Sequence, residues 1–378
     1  MEMKTFEIKT KVKLGQGSLS YVETLKNKRV FVVTDPFMVK SGMINKITEH
    51  LSSGSYEVFS DIVPDPPMGL VVKGVEALAA FKPDAVIALG GGSAIDATKA
   101  IMNFSKKITG LHQMQFIAIP TTSGTGSEVT SFSVITDEVK QIKYPLVSDE
   151  FLPDVAILEP ELVKSVPPSI VADTGMDVLT HAIEAYVSTS ATDFSDALAE
   201  KAVELVFDYL VRSYRSSEDM EAREKMHNAS CLAGLAFNLA SLGINHAIAH
   251  NIGGKLHVPH GRTNALLLPY VIEFNSEIDG YSPSKYSVAA TKYAQLAKLV
   301  GIEGNNVRML VKNFIHAITR MQHEMKMPTR LEECKVSKED INKAKQDIAK
   351  GALEDACILT NPRSATVGDI LEIIYRIS

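Results

Sequence analysis

The chain has few cysteines, no long apolar run and no excess of basic charge, and each shortage removes a class of protein. Its three cysteines, Cys231, Cys334 and Cys357, are odd in number and far apart. That argues against a disulfide framework and predicts free thiols in a reducing cytoplasm. No segment reaches the ~18 consecutive apolar residues of a membrane span, so no membrane partner is expected. Residues 1–9 alternate polar and apolar side chains and lack the apolar core of a signal peptide, which predicts an edge strand and a cytoplasmic protein. There are 39 Lys and Arg against 45 Asp and Glu, a net charge of −6. Sequence-independent phosphate binding needs clustered cations, so no nucleic-acid partner is expected. Internal repeats and low-complexity tracts are absent as well.

What is present fits an ordinary globular protein, with 45% hydrophobic and 22% charged residues. A length of 378 residues exceeds one usual core and predicts two domains. Short apolar runs at 29–34, 84–89, 115–119 and 155–158 end in turn residues and alternate with helical patterns. Strands of a parallel sheet covered on both faces read this way. The double proline Pro167-Pro168 interrupts the pattern. Beyond it strand signals vanish, and 193–207, 292–300 and 306–321 carry helical periodicity. The expectation is an α/β, Rossmann-like dinucleotide-binding domain over residues 1–167 and an all-α domain over 168–378.

Two loops follow predicted strands. Gly90-Gly91-Gly92-Ser93 opens a helix, where glycines let backbone N–H groups approach a pyrophosphate and the helix N-terminus adds partial positive charge. A plain tight turn with Ser93 as N-cap is the structural alternative. The hydroxyl-rich stretch 119–130, with Thr121, Thr122, Thr125 and Thr130, ends another strand and could hold ribose, phosphate or the nicotinamide edge. Asp35 ends the first clear strand, where a carboxylate accepts from an adenosine ribose and repels a 2′-phosphate, favouring NAD over NADP. It could equally be a turn-forming Asp before Pro36.

Four of the ten histidines, His246, His250, His257 and His260, fall between Leu242 and Gly261. Upstream, Asp177 and His181 are four apart in a helical segment, a spacing that stacks them on one face about 5–6 Å apart. A lone buried histidine is more often structural, but this density beside an Asp-x-x-x-His pair points to one divalent ion held by an Asp and three His. Such ligands suit Zn²⁺, Fe²⁺ or their neighbours rather than Ca²⁺ or Mg²⁺.

Together with the glycine turn, 120–130, 175–184, 246–250 and 259–261 resemble the iron-containing, group III alcohol dehydrogenase family. The likeness runs from Gly15 to Arg363. The stretches 192–202 and 226–230 look closest to the propanol and ethanol dehydrogenases of bacterial microcompartments. The resemblance implies a dehydroquinate synthase-like architecture, metal ligands Asp177, His181, His246 and His260, His250 as proton relay, and Lys143 at the nicotinamide end of the cofactor cleft. It matches Phe132, Phe237 and Cys357 to the substrate cleft, with Phe132 also against the cofactor. It implies Fe²⁺ by family precedent, with Zn²⁺ as the tighter-binding alternative, and NAD as hydride carrier. The substrate would be a short alcohol or aldehyde, and the assembly a homodimer or larger. Two positions depart from the family pattern: Asp65, where relatives often carry Asn, and Glu159, where many carry Asp. Competing readings are a Zn²⁺-dependent polyol or sugar-phosphate dehydrogenase, or a related lyase, on the same fold, and an inactive metal- and NAD-binding component.

Overall fold

Short apolar runs build the sheet of the first unit: β1 Lys11–Leu14, β2 Arg29–Thr34, β3 Ser55–Phe59, β4 Ala85–Gly90, β5 Gln115–Pro120 and β8 Val155–Leu158, with β6 Phe132–Asp137 and β7 Ile142–Val147 forming a separate antiparallel hairpin. The six run parallel in the order β1-β8-β5-β4-β2-β3. This computed structural model describes residues 5–51, 53–110, 114–137, 142–278 and 285–378. The chain divides into two compact units, Met1–Val166 and Pro167–Ser378.

Successive residues of a strand face opposite sides, and here both sides are covered. Val30 and Val32 of β2 pack with Leu19, Val22, Leu25 and Ile47. Phe31 and Val33 turn the other way, onto Val71, Val75, Leu78, Ala97 and Ile101. The connecting helices are α1 Pro36–Lys40, α2 Asn45–Thr48, α3 Met68–Phe81, α4 Gly92–Thr109 and α5 Pro160–Val163. From β2 the chain steps outward to β3, then returns to β4 and proceeds the other way to β5 and β8. The carboxyl ends of β2 and β4 therefore form the switch point at which doubly wound sheets bind ligands. Thr34 pairs with Leu89 there, so Asp35 and the glycine turn leave the sheet side by side.

The edge strand lies later than the residue alternation predicts. Phe6 and Ile8 are exposed, at 41% and 44%, and residues 1–4 lie outside the described residues. The ladder begins at Lys11 because β8 offers just four partners, Val155–Leu158. The two departures from the family pattern have local reasons. Asp65 sits at φ 52°, a left-handed conformation that Asn and Asp tolerate best among residues with a Cβ. Glu159 caps α5 and also reaches back to accept from the Gly17 backbone N–H at 2.8 Å.

The second unit is helical throughout its described residues: α6 Pro168–Val187, α7 Asp193–Arg215, α8 Met220–Ala240, α9 Ile244–Leu256, α10 His260–Ser276, α11 Val288–Leu299, α12 Val307–Glu324, α13 Lys338–Glu354 and α14 Val367–Arg376. Pro168 stands in the first turn of α6, where its missing N–H costs nothing. α6 is the central helix, buried almost all round and packed by α7, α8, α10 and α11. A second core joins α9, α10, α13 and α14 through Ile248, Ile252, Leu267, Ile348 and Ile370. No single helix among the described residues is long and apolar enough to cross a membrane.

Candidate metal centre and cofactor loops

At the switch point the glycines are required one by one. Gly90 has φ +155°, and a Cβ there would stand 2.7 Å from the Ala94 Cβ. A Cβ on Gly92 would meet Thr125 Cγ2 at 2.6 Å, and one on Gly91 would meet Thr122 Oγ1 at 3.2 Å. The glycine turn and the hydroxyl-rich loop are thus packed together through space that side chains would fill. The N-cap of α4 is Gly91, not Ser93, and no side chain caps the helix. Its first N–H groups and the positive end of an 18-residue helix remain available to an anionic ligand. Asp35 caps α1, its Oδ1 accepting from Phe37 N at 2.8 Å and Met38 N at 3.1 Å. Its Oδ2 lies 3.4 Å from where a Gly90 Cβ would be, so the turn-forming role and a place beside the glycine turn belong to the same carboxylate.

A buried lysine missed by sequence reasoning holds the hydroxyl-rich loop. Lys99, 1% exposed, donates from Nζ to Ser127 Oγ at 2.9 Å, Thr130 O at 2.8 Å, Thr130 Oγ1 at 3.2 Å and Phe132 O at 2.6 Å. Asp96, one turn earlier on α4, accepts from Ser127 Oγ at 2.5 Å and Val134 N at 3.0 Å. Burial pushes the Lys99 ammonium down to about 8 and the Glu128 carboxyl up to about 7. Thr121 and Thr130 are buried in the loop, whereas Ser93, Thr122 and Thr125 keep part of their surface. Lys143 pairs with Thr136 in the β6–β7 ladder; its side chain lies outside what the structure describes.

In the helical unit, Asp177 and His181 come from α6, His246 from α9 and His260 from the first turn of α10. One ligand atom from each lies within 4.8 Å of the others. His246 Nε2 and His260 Nε2 stand 3.8 and 3.6 Å from Asp177 Oδ1, close to the roughly 3.4 Å edge of a tetrahedron whose ligands are about 2.1 Å from a central ion. The chemistry fits a first-row divalent ion. Asp177 and His246 are almost fully buried, His260 is one-third exposed, and burial raises the Asp177 carboxyl while holding the His246 imidazolium well below its usual range. A cation among one carboxylate and three imidazole lone pairs offsets that burial.

Close backbone approaches bring the ligands together. A Cβ on Gly261 would stand 2.3 Å from the Asp173 carbonyl oxygen, and one on Gly243 would stand 2.8 Å from Glu184 Oε1. Those two glycines let the starts of α10 and α9 lie against α6. Three supporting residues were not foreseen as such. Glu184 Oε2 binds His246 Nδ1 at 2.5 Å while its Oε1 accepts from Asn245 N at 2.7 Å; this fixes the ring so that Nε2 faces the ion site. The Asn264 amide donates to Asp177 Oδ1 at 2.6 Å and reaches His246 Nε2 and His260 Nε2 at 3.0 and 3.1 Å. Asp355 Oδ2 holds His250 Nδ1 at 2.9 Å. Glu184 had a signal, since it lies on the α6 helix seven residues from Asp177 and three from His181, on their face. Asn264 follows His260 by one turn. Asp355 had none.

His250 is not among the four grouped ligands; its ring stacks on His260 at 5.4 Å. Phe237 stacks on His181 at 4.6 Å, and Cys357 donates its backbone N–H to Asp355 Oδ1 at 2.8 Å. Both proposed cleft residues of this unit therefore lie around the histidines. Phe132 belongs to the first unit, at the start of β6.

The family model described as iron-containing alcohol dehydrogenase matches residues 9–160, and the C-terminal model of the Fe-containing alcohol dehydrogenase family matches residues 171–378. The chain is 45% identical to 1-propanol dehydrogenase PduQ of Citrobacter freundii over 98% of its own length and 99% of that protein. It is 39% identical to the NADPH-dependent butanol dehydrogenase of Clostridium saccharobutylicum, over 99% and 98% of the two chains. The solved sulfoacetaldehyde reductase of Bifidobacterium kashiwanohense, in complex with NAD⁺, superposes with a TM-score of 0.85 at 30% identity, covering 100% of this chain and 99% of that one.

Proposed function

The chain belongs to the iron-containing alcohol dehydrogenase family, and from that membership we propose that it interconverts short-chain primary alcohols and their aldehydes, such as propanol and propanal, running chiefly toward the alcohol. It is an NAD-dependent, metal-containing alcohol dehydrogenase, of a family that uses NAD(H) and Fe²⁺. The observation that carries the reading is the convergence of Asp177, His181, His246 and His260 within 4.8 Å, in a chain whose other unit presents two interlocked loops at a sheet switch point.

Held by those four residues, a divalent ion supplies Lewis-acid charge for an alcohol or carbonyl oxygen. The chain's own groups do the rest. Gly91, Gly92 and Ser93 present N–H groups to the pyrophosphate, and Thr122 and Thr125 face the same ligand. Asp35 accepts from the ribose and disfavours a 2′-phosphate. Phe237 shapes a small apolar space against His181. His250, its Nδ1 held by Asp355, passes the hydroxyl proton between substrate and solvent.

Adding propanal or acetaldehyde to the iron-reconstituted enzyme with NADH should consume NADH. No absorbance loss at saturating aldehyde would refute the assignment. NADPH should be the poorer donor, and Asp35→Ala should narrow the difference. A phosphorylated substrate is disfavoured because Arg262, close in sequence to the ligand His260, is already paired with Asp173 at 2.9 Å. The likeness of residues 192–202 and 226–230 to microcompartment enzymes supports residence in such a compartment. Assembly as a homodimer or larger is proposed alongside it; light scattering of the purified enzyme checks the assembly, and a monomer would refute it.

A further inference from the structure

Beside the four-residue centre lies a second group of ligand-type side chains. His250 belongs to α9, Asp355 follows α13, and Cys357 sits in the 3-10 helix Ala356–Thr360. One ligand atom from each lies within 4.8 Å of the others. All three remain reachable: His250 keeps 25% and Asp355 13% of its side-chain surface, and Cys357 is half-buried. Asp355 gathers the group, its carboxylate accepting from His250 Nδ1 at 2.9 Å and from the Cys357 backbone N–H at 2.8 Å. One imidazole, one carboxylate and one thiol make a mixed N, O, S set. Zn²⁺ accepts such a set with four-coordinate geometry, whereas Mg²⁺ and Ca²⁺ require six or more ligands, nearly all oxygen.

We propose that His250, Asp355 and Cys357 form a second site, which takes Zn²⁺ rather than Mg²⁺ or Ca²⁺ and whose occupation inhibits the enzyme. Three protein ligands leave the fourth position to water. Binding forms a Zn–S bond and releases the thiol proton to solvent, with no change of oxidation state. The ion takes the imidazole nitrogen and the carboxylate that otherwise hydrogen-bond to each other, so one ring nitrogen of His250 is committed to zinc, the other keeps its N–H, and the ring cannot pass a proton from one nitrogen to the other. That inhibitory consequence rests on the relay role proposed for His250; the site itself does not.

Cobalt is the probe, because a Co²⁺–thiolate absorbs in the near ultraviolet and the first centre contains no sulfur. Iron-loaded enzyme should take up one additional equivalent of Co²⁺ with that band, and one equivalent of Zn²⁺ should displace it and slow NADH-dependent propanal reduction at least tenfold while bound iron stays unchanged; slowing that tracks iron loss overturns the inhibition. Cys357→Ser should lose the band and the additional equivalent while retaining iron. His246→Ala, which removes a ligand of the first centre, should lose iron yet keep the band, so failure of the first centre is distinguishable from failure of the second. A band absent from the unmodified enzyme, or persisting in Cys357→Ser, overturns the site. A normal band without slowed turnover overturns the inhibition.

Discussion

Glu184 works through another residue. By accepting hydrogen bonds from the His246 Nδ1–H and the Asn245 N–H together, it sets the ring's tautomer and angle, and loss of such a partner typically costs 10–100-fold in metal affinity. Glu184→Gln should therefore fold, retain the ligand set and bind Fe²⁺ more weakly by about that factor; unchanged affinity in a chelator competition would refute the role. Glu128 has a different signature. Burial lifts its carboxyl from the ordinary 4.5 to about 7, so between those values the folded chain keeps a proton that the unfolded chain has shed. Its stabilising contribution is complete below the lower value and disappears as pH rises through the upper one. Urea unfolding across pH 5 to 7 should show Glu128→Gln losing up to about one proton's worth of that falling slope. Parallel profiles for the two proteins would contradict it.

At the scale of elements, the ion site exists because α10 starts in contact with α6. Gly261→Ala places a Cβ 2.3 Å from a helical carbonyl of Asp173, and helix backbone cannot yield as a side chain does. A cost of about 1–3 kcal/mol is expected, with His260 drawn off its partners. Calorimetry should show a lower Tm, and metal analysis substoichiometric iron; a variant with full iron would refute the argument. The helices were legible where one face is apolar: 193–207 lies within α7, while 292–300 and 306–321 overlap α11 and α12 and each overruns by one residue, the caps Val300 and Asn306. β3 and the β6–β7 hairpin were not read, because β3 is a half-exposed edge strand and carries no continuous apolar run. The histidine cluster announced an ion, yet spacing alone could not choose among its four members. Asp355 reaches His250 across 105 positions of chain, a proximity that tertiary packing creates and local pattern does not encode.

For the whole molecule, the proposed sites for the two ligands fall in different units. The proposed ligands Asp177, His181, His246 and His260 lie in the helical unit, so chelation should lower its transition, while NADH at the proposed cofactor loops should raise that of residues 5–166. A ligand at a thousand times its Kd contributes about 4 kcal/mol to the unit that holds it. Differential scanning calorimetry with iron, with chelator and with NADH checks this, and equal shifts of every transition under each addition would count against it. The first unit also has an unusual order of completion. Its outermost strand, Lys11–Leu14, has a single neighbour, Val155–Leu158, which the ribosome makes about 140 residues later. At 5–20 residues per second that is about 7 to 28 seconds of synthesis, during which this β-segment waits with nothing to zip onto. Nascent chains stalled before residue 155 should consequently be protease-sensitive at their beginning, and those stalled well after residue 166 protected.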